Sequence, residues 1–287
     1  QHLLDGLARR PGGRDPRRRR RDRPGSVESV LSLVAIIPSA PLLVPELAGP
    51  AAADTEPVRT AVRDAGARLA TAASRWIVVG ATDGSVPAAR YRSTGGFGAY
   101  GVPLEVDLRS DLGGDVGAGP GEPLPLSMLV AAWLREQSQS RAASTVSVTP
   151  VLIDPSASPE ECAATGRELA TTIAAAGESI GVLVVADGAT ALTPGAPGGG
   201  ERPSAVALQG RIDAALCAAD VTALGGLTES ECAAEGAAGR AAWQVLAGLC
   251  AATDMVGESL YADAPFGVGY TVAVWTPARQ HLAGDPA

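Results

Sequence analysis

Short apolar runs rich in β-branched residues alternate along the chain with longer segments in which alanine, leucine and valine recur at helical spacing. The runs at 33–37, 76–79, 146–153, 180–186 and 269–275 are four to eight residues long, the length of buried strands. A further short strand is expected at 104–108. Helices are expected from about 55 to 74, at 124–136, at 159–176, at 204–219, and at 229–253 with a break at Gly236 or Gly239. Their starts are marked. Asp54 and Thr55 precede Pro57, and proline suits a first helical turn. Ser158 with Glu161, and Thr228 with Glu231, have the spacing of capping boxes. Glycine-rich loops fill 80–103 and 187–203.

Apolar strands without polar alternation, set between amphipathic helices, imply an α/β fold: a single domain with a largely parallel central sheet and helices on both faces. Ligands of such sheets bind beyond the carboxyl ends of the strands. Three strand ends lead into unusual loops there: Pro38-Ser39-Ala40-Pro41, Gly80-Ala81-Thr82-Asp83-Gly84 and Asp187-Gly188-Ala189-Thr190.

Length and composition narrow the chemistry. A chain of 287 residues buries roughly 75% of its unfolded surface and needs no staples. No run reaches the ~18 apolar residues that span a bilayer. Lysine and asparagine are missing, and all 23 basic residues are arginine, the signature of a high-GC gene. A Schiff-base lysine and a Walker A lysine are therefore excluded. The only histidines, His2 and His281, stand at the two ends. A Ser-His-Asp triad, an H-E-x-x-H zinc helix and a two-histidine iron site cannot be built within one such chain. Cys162, Cys217, Cys232 and Cys250 form no C-x-x-C pair and sit in alanine-rich helical segments, so they read as buried reduced thiols. With no signal peptide visible, a cytoplasmic protein is expected.

Residues 1–26 differ from the rest. They carry nine arginines and three aspartates, while the remainder carries a net charge of −14. This tail is expected to be disordered and dispensable for folding; its competing readings are a basic arm and an early start, with the natural chain beginning near Val27 or Val30. The folded domain is expected over 27–279, with 280–287 frayed. The acidity of the folded part argues against a nucleic-acid partner.

The three strand ends also carry a family resemblance. AIIPSAPLLVPE at 35–46 resembles the opening of class III extradiol ring-cleavage dioxygenase B subunits, a strand ending in P-H-P-P followed by P-E. VVGATDG at 78–84 is similar to that family's second strand end, S-P-H-G. VVADGAT at 184–190 is similar to its G-D-x-S-H element. WQVLAG at 243–248 and YADAPFGVGY at 261–270 look like a divergent actinobacterial branch, and the resemblance spans about 31–277.

The family holds Fe(II) with two histidines and a carboxylate and uses a further histidine as acid and base. On this resemblance the first ligand position is Ser39, the second Asp83 (or Thr82 one register away), and the acid/base position Thr190; the acidic residue of the third element survives as Asp187. Serine is a poor neutral ligand for Fe(II), and threonine does not shuttle protons near pH 7. The resemblance therefore implies the fold and the pocket without iron or ring cleavage: a degenerate member that binds a small molecule or a protein partner. The alternative is an active enzyme with Asp83, Asp187 and Glu46 around Mg²⁺ or Mn²⁺, which accept oxygen ligands. A homo-oligomer is compatible with either. Each residue also has a plainer reading. Ser39 caps a turn, and Asp83 and Asp187 each precede a glycine where aspartate favours a turn. Tyr91, Phe97 and Tyr100, with Arg90 and Arg92, either wall the pocket or pack the long loop. Gly198–Gly200 is flexible loop. The site reading requires Ser39, Asp83 and Asp187 to lie together at neighbouring strand ends.

Overall fold

Four parallel strands and an antiparallel pair share one sheet, in a computed structural model that describes residues 30–49, 53–82, 91–108, 122–139 and 145–278. The tail at 1–26, Asp83, Arg90 and the last residues from 279 lie outside the described residues. Strand β1 (Val30–Ile37) runs parallel to β6 (Ser179–Val185), β6 to β2 (Arg75–Ala81), and β2 to β5 (Ser147–Ile153). On the other side of β1 lies β8 (Tyr270–Pro277), antiparallel, with β7 (Met255–Asp263) antiparallel to it at the edge. The order is β5-β2-β6-β1-β8-β7.

Both faces are covered. Helices α2 (Glu56–Ala72) and α3 (Leu126–Gln139) pack on one face, over Ala35, Ile37, Val78, Leu183, Val185 and Val272. On the other, α4 (Pro159–Ala175), α5 (Pro203–Ala218), α6 (Val221–Gly225), α7 (Glu229–Ala234) and α8 (Arg240–Cys250) cover Val34, Ile36, Val79, Val182, Val184 and Trp275. Two-sided burial is why β1, β2 and β6 read as unbroken apolar runs. Each fully buried Val, Leu or Ile contributes about 1.5–3 kcal/mol against an exposed one. Trp275 is wholly buried, and its indole N–H donates to the Leu216 carbonyl at 2.6 Å. Helices α4 and α8 approach backbone to backbone. A Cβ on Gly166 would stand 2.2 Å from the Val245 carbonyl oxygen, and one on Gly248 2.5 Å from that of Ala163.

Both capping boxes form. Ser158 Oγ accepts from the Glu161 N–H at 3.2 Å while the Glu161 carboxylate accepts from the Ser158 N–H at 2.8 Å, and Thr228 and Glu231 repeat the exchange. Thr55 holds the N-cap position of α2, but its hydroxyl accepts from the Arg59 guanidinium rather than from the helix backbone. The break in the long C-terminal helix comes after α7, where Gly236 turns at φ 67°. The glycine-rich loop after β2 holds a two-stranded ribbon, β3 (Thr94–Gly96) against β4 (Glu105–Asp107). A 3₁₀ turn (Pro41–Leu43) and the short helix α1 (Pro45–Ala48) follow β1.

Cys162, Cys232 and Cys250 are buried and Cys217 half-buried, all four as free thiols. Burial pushes the thiols of Cys232 and Cys250 up, to about 11 and about 12. Among the described residues no helix is long and apolar enough to cross a membrane.

Candidate functional site

Adjacent parallel strands β1 and β6 send their chains to opposite faces of the sheet. β1 continues to α2 on one face, β6 to α5 on the other. That divergence is a topological switch point, where sheets of this kind bind ligands in a crevice beyond the carboxyl ends of the strands.

The register brings two polar residues level there. Ile37 pairs with Val185, and the Ala186 N–H donates to the Ile37 carbonyl at 2.9 Å. Two residues beyond each strand end, the Ser39 backbone N–H donates to Asp187 Oδ1 at 2.7 Å. Asp187 makes no other side-chain hydrogen bond and no ion pair among the described residues. The residue keeps some exposed surface, but its carboxylate is desolvated. Burial pushes it up to about 6, and the Ser39 N–H only partly offsets this.

The loop carrying Asp187 is held from behind. The Gly188 N–H donates to the Gly269 carbonyl at 3.0 Å, and the Gly269 N–H to the Ala189 carbonyl at 2.9 Å. The Asp187 carbonyl accepts from the Gly239 N–H at 2.9 Å. The Ala189 N–H donates to Gln209 Oε1 at 2.9 Å, and Gln209 Nε2 donates to Asp213 Oδ1 at 2.8 Å. The Thr271 hydroxyl donates to the same Asp213 oxygen. The buried Gln209 amide lies between two glycines. A Cβ on Gly188 would stand 2.1 Å from Gln209 Oε1, and one on Gly269 2.2 Å from its Cδ. Space, not a left-handed backbone, is what requires glycine at both positions.

Tyr270 opens β8 beside this loop. It is 5% exposed, and its hydroxyl has no hydrogen-bond partner among the described residues. Burial pushes that phenol well up, and the negative charge of Asp187 adds to the shift. The Ser39 hydroxyl is likewise without a partner there.

The structure thus joins Ser39 to Asp187. Asp83 lies outside the described residues; Thr82, one register away, is buried and donates its N–H to the Ile153 carbonyl at 3.0 Å. Thr190 faces elsewhere. Its N–H donates to the Glu235 carbonyl at 2.9 Å, its hydroxyl is turned to the same oxygen at 3.4 Å, and Gly236 walls it in. Glu46 is exposed on α1, with no bond to Asp187. Phe97 is completely buried and packs the ribbon onto the domain. Tyr91 is half-buried against the same core, its neighbour Arg92 donates its N–H to the Glu122 carbonyl, and Tyr100 is exposed beside Phe97.

Among the described residues, the donors at these positions do not fit the ferrous ion that the resemblance implies. Ser39 offers a neutral hydroxyl, the Thr190 hydroxyl is turned to the Glu235 carbonyl, and the Asp187 carboxylate has an oxygen committed to an amide N–H. Among the described residues no group of three or more His, Cys, Asp and Glu stands together to hold a metal ion.

Tyr270, Gln209, Asp213 and Thr271 escape the sequence reading. Gln209 and Asp213 do share one helix face at i,i+4. No pattern in the chain links that pair to a strand sixty residues on.

No protein-family model matches the chain, and no curated protein matches it. Among solved structures it is similar to the crystal structure of uncharacterized protein JW3007 from Escherichia coli K12. The identity is 14%, over 85% of this chain and 99% of that one, with a TM-score of 0.47.

Proposed function

We propose that this protein is a degenerate member of the extradiol dioxygenase B-subunit-like family, without ring-cleavage activity, that works as a small-ligand-binding module at the crevice between β1 and β6. The observation that carries the reading is the 2.7 Å contact between the Ser39 N–H and the Asp187 carboxylate. It occurs at a topological switch point, on two of the positions that the resemblance assigns to the family's site. The same two positions supply no imidazole, so a face of two histidines and a carboxylate for Fe(II) is not available from them.

The test is anaerobic reconstitution with Fe(II), and separately with Mn²⁺ and Mg²⁺, followed by assay against a catechol panel for the yellow ring-opened product. No turnover with any metal, and unchanged thermal stability on adding Fe(II), is the expected result. Turnover that disappears in Asp187→Ala overturns the reading in favour of an enzyme with carboxylate ligands.

A further inference from the structure

Three polar groups meet at the crevice with capacity to spare. Among the described residues the Asp187 carboxylate has one donor, the Ser39 N–H, and no cation. Among the described residues neither the Ser39 hydroxyl nor the hydroxyl of Tyr270, which is 5% exposed, has a partner; Tyr270 follows Gly269, whose carbonyl accepts from the Gly188 N–H beside Asp187, and its phenol feels the Asp187 charge. None of these oxygens is sealed off: none is among the side-chain atoms that are both buried and without a partner among the described residues, so a ligand can reach all three groups from solvent. Asp213, behind the same loop through Gln209, shows how this chain satisfies a carboxylate when its role is structural: two side chains donate to it.

We propose that Asp187, Ser39 and Tyr270 bind the primary ammonium group of a small organic molecule. This rests on the ligand-binding reading above and adds the charge of the ligand. An ammonium has three N–H donors and no acceptor. The crevice presents three oxygens able to accept, one of them charged, and the Tyr270 ring adds an aromatic surface that attracts cations. Among the described residues no protein cation fills the role. Arg202, farther along this edge, is spent on the Glu235 carboxylate and on the Gly198 and Ala234 carbonyls. An anionic head would meet an uncompensated carboxylate. Mg²⁺ demands near-octahedral oxygen coordination, which one carboxylate and two neutral hydroxyls do not supply.

The experiment keeps the body of the probe constant and changes its head. The full chain is titrated calorimetrically with 2-phenylethylammonium, 2-phenylethanol and 3-phenylpropanoate, and with MgCl₂ alone. The ammonium is expected to bind at least tenfold tighter than the alcohol, and the carboxylate weakest. Asp187→Asn, whose amide oxygen still accepts the Ser39 N–H, is expected to erase that preference; Tyr270→Phe is expected to reduce it severalfold. Equal affinity for ammonium and alcohol, a preference for the carboxylate, a response to Mg²⁺ only, or no binding of any head overturns the proposal. So does an ammonium preference that survives Asp187→Asn. These results are separate from failure of the ligand-binding reading, which catechol turnover by the metal-reconstituted protein would show.

Discussion

Asp187 and Asp213 stand on either side of the Gly188–Ala189 turn, both half-buried and both pushed up by burial. Their surroundings differ. Asp213 takes the Gln209 amide and the Thr271 hydroxyl, and through Gln209 it orients the Ala189 N–H. Asp187 takes one backbone N–H and nothing else among the described residues. The first carboxylate completes a network that fixes the loop. The second is presented by that loop, incompletely satisfied, at the strand ends. A desolvated carboxylate whose partners are all internal is structural; one left short of partners has room for a ligand.

The strongest way to break the comparison is to remove the support. Gly188→Ala places a methyl into the Gln209 amide and is expected to cost about 3 kcal/mol, or roughly 6–12 °C in Tm for a domain of this size. Gln209→Ala alone strands the Ala189 N–H and is expected to cost about 1–3 kcal/mol. The double variant should be less destabilised than the sum by about 1 kcal/mol or more, because the second change frees the space the first needs. Thermal melts of the four proteins measure this.

The next effect has the opposite sign. The folded value of Asp187, about 6, lies above its ordinary 3.8. Folding therefore takes up a proton between about pH 4 and 6; the associated stability is full below that window and lost as pH rises through it. Asp187→Asn has no such loss. It is expected to be more stable than the parent at pH 8, by up to about 3 kcal/mol, and to match it near pH 4. Paired melts at pH 8 and pH 4 check this, and a variant less stable at pH 8 would mean that the carboxylate is fully compensated.

Two neighbours on β8 give the smaller effects. Thr271→Val takes one donor from Asp213 and is expected to cost about 1–2 kcal/mol. Tyr270→Phe removes a hydroxyl without a partner among the described residues and is expected to change stability of the free protein by less than about 0.5 kcal/mol. If Tyr270→Phe costs as much as Thr271→Val in urea unfolding, the two sides of the turn are not distinct in kind.

The parallel half of the sheet was legible because its residues meet the core on both faces. Hydrophobicity then runs unbroken through β1, β2 and β6, and turn and cap residues bracket it. Strand β7 was not. Gly257, Glu258 and Ser259 interrupt its apolar pattern, because it is an edge strand with much of its length exposed and an irregular register between Ser259 and Tyr261. Only its pairing with β8 makes it a strand. The same pairing brings Tyr270 and Thr271 to the mouth from the opposite chain direction. Helix α6 escaped for a similar reason: one turn, capped by Asp220, is too short for periodicity to register.

Local order along the chain determined which strands end in Ser39, Thr82 and Asp187, and a count of histidines determined which chemistries one chain cannot perform. Both depend on residue identity and short-range spacing alone. Tertiary structure decided the rest. Parallel pairing of β1 with β6, 148 residues apart, set the Ser39 N–H on Asp187. The packing of α5 behind the loop put Gln209 between two glycines, and Thr190 turned to Glu235 instead of the crevice. Those contacts are set by register and packing between distant segments, which no window of sequence contains.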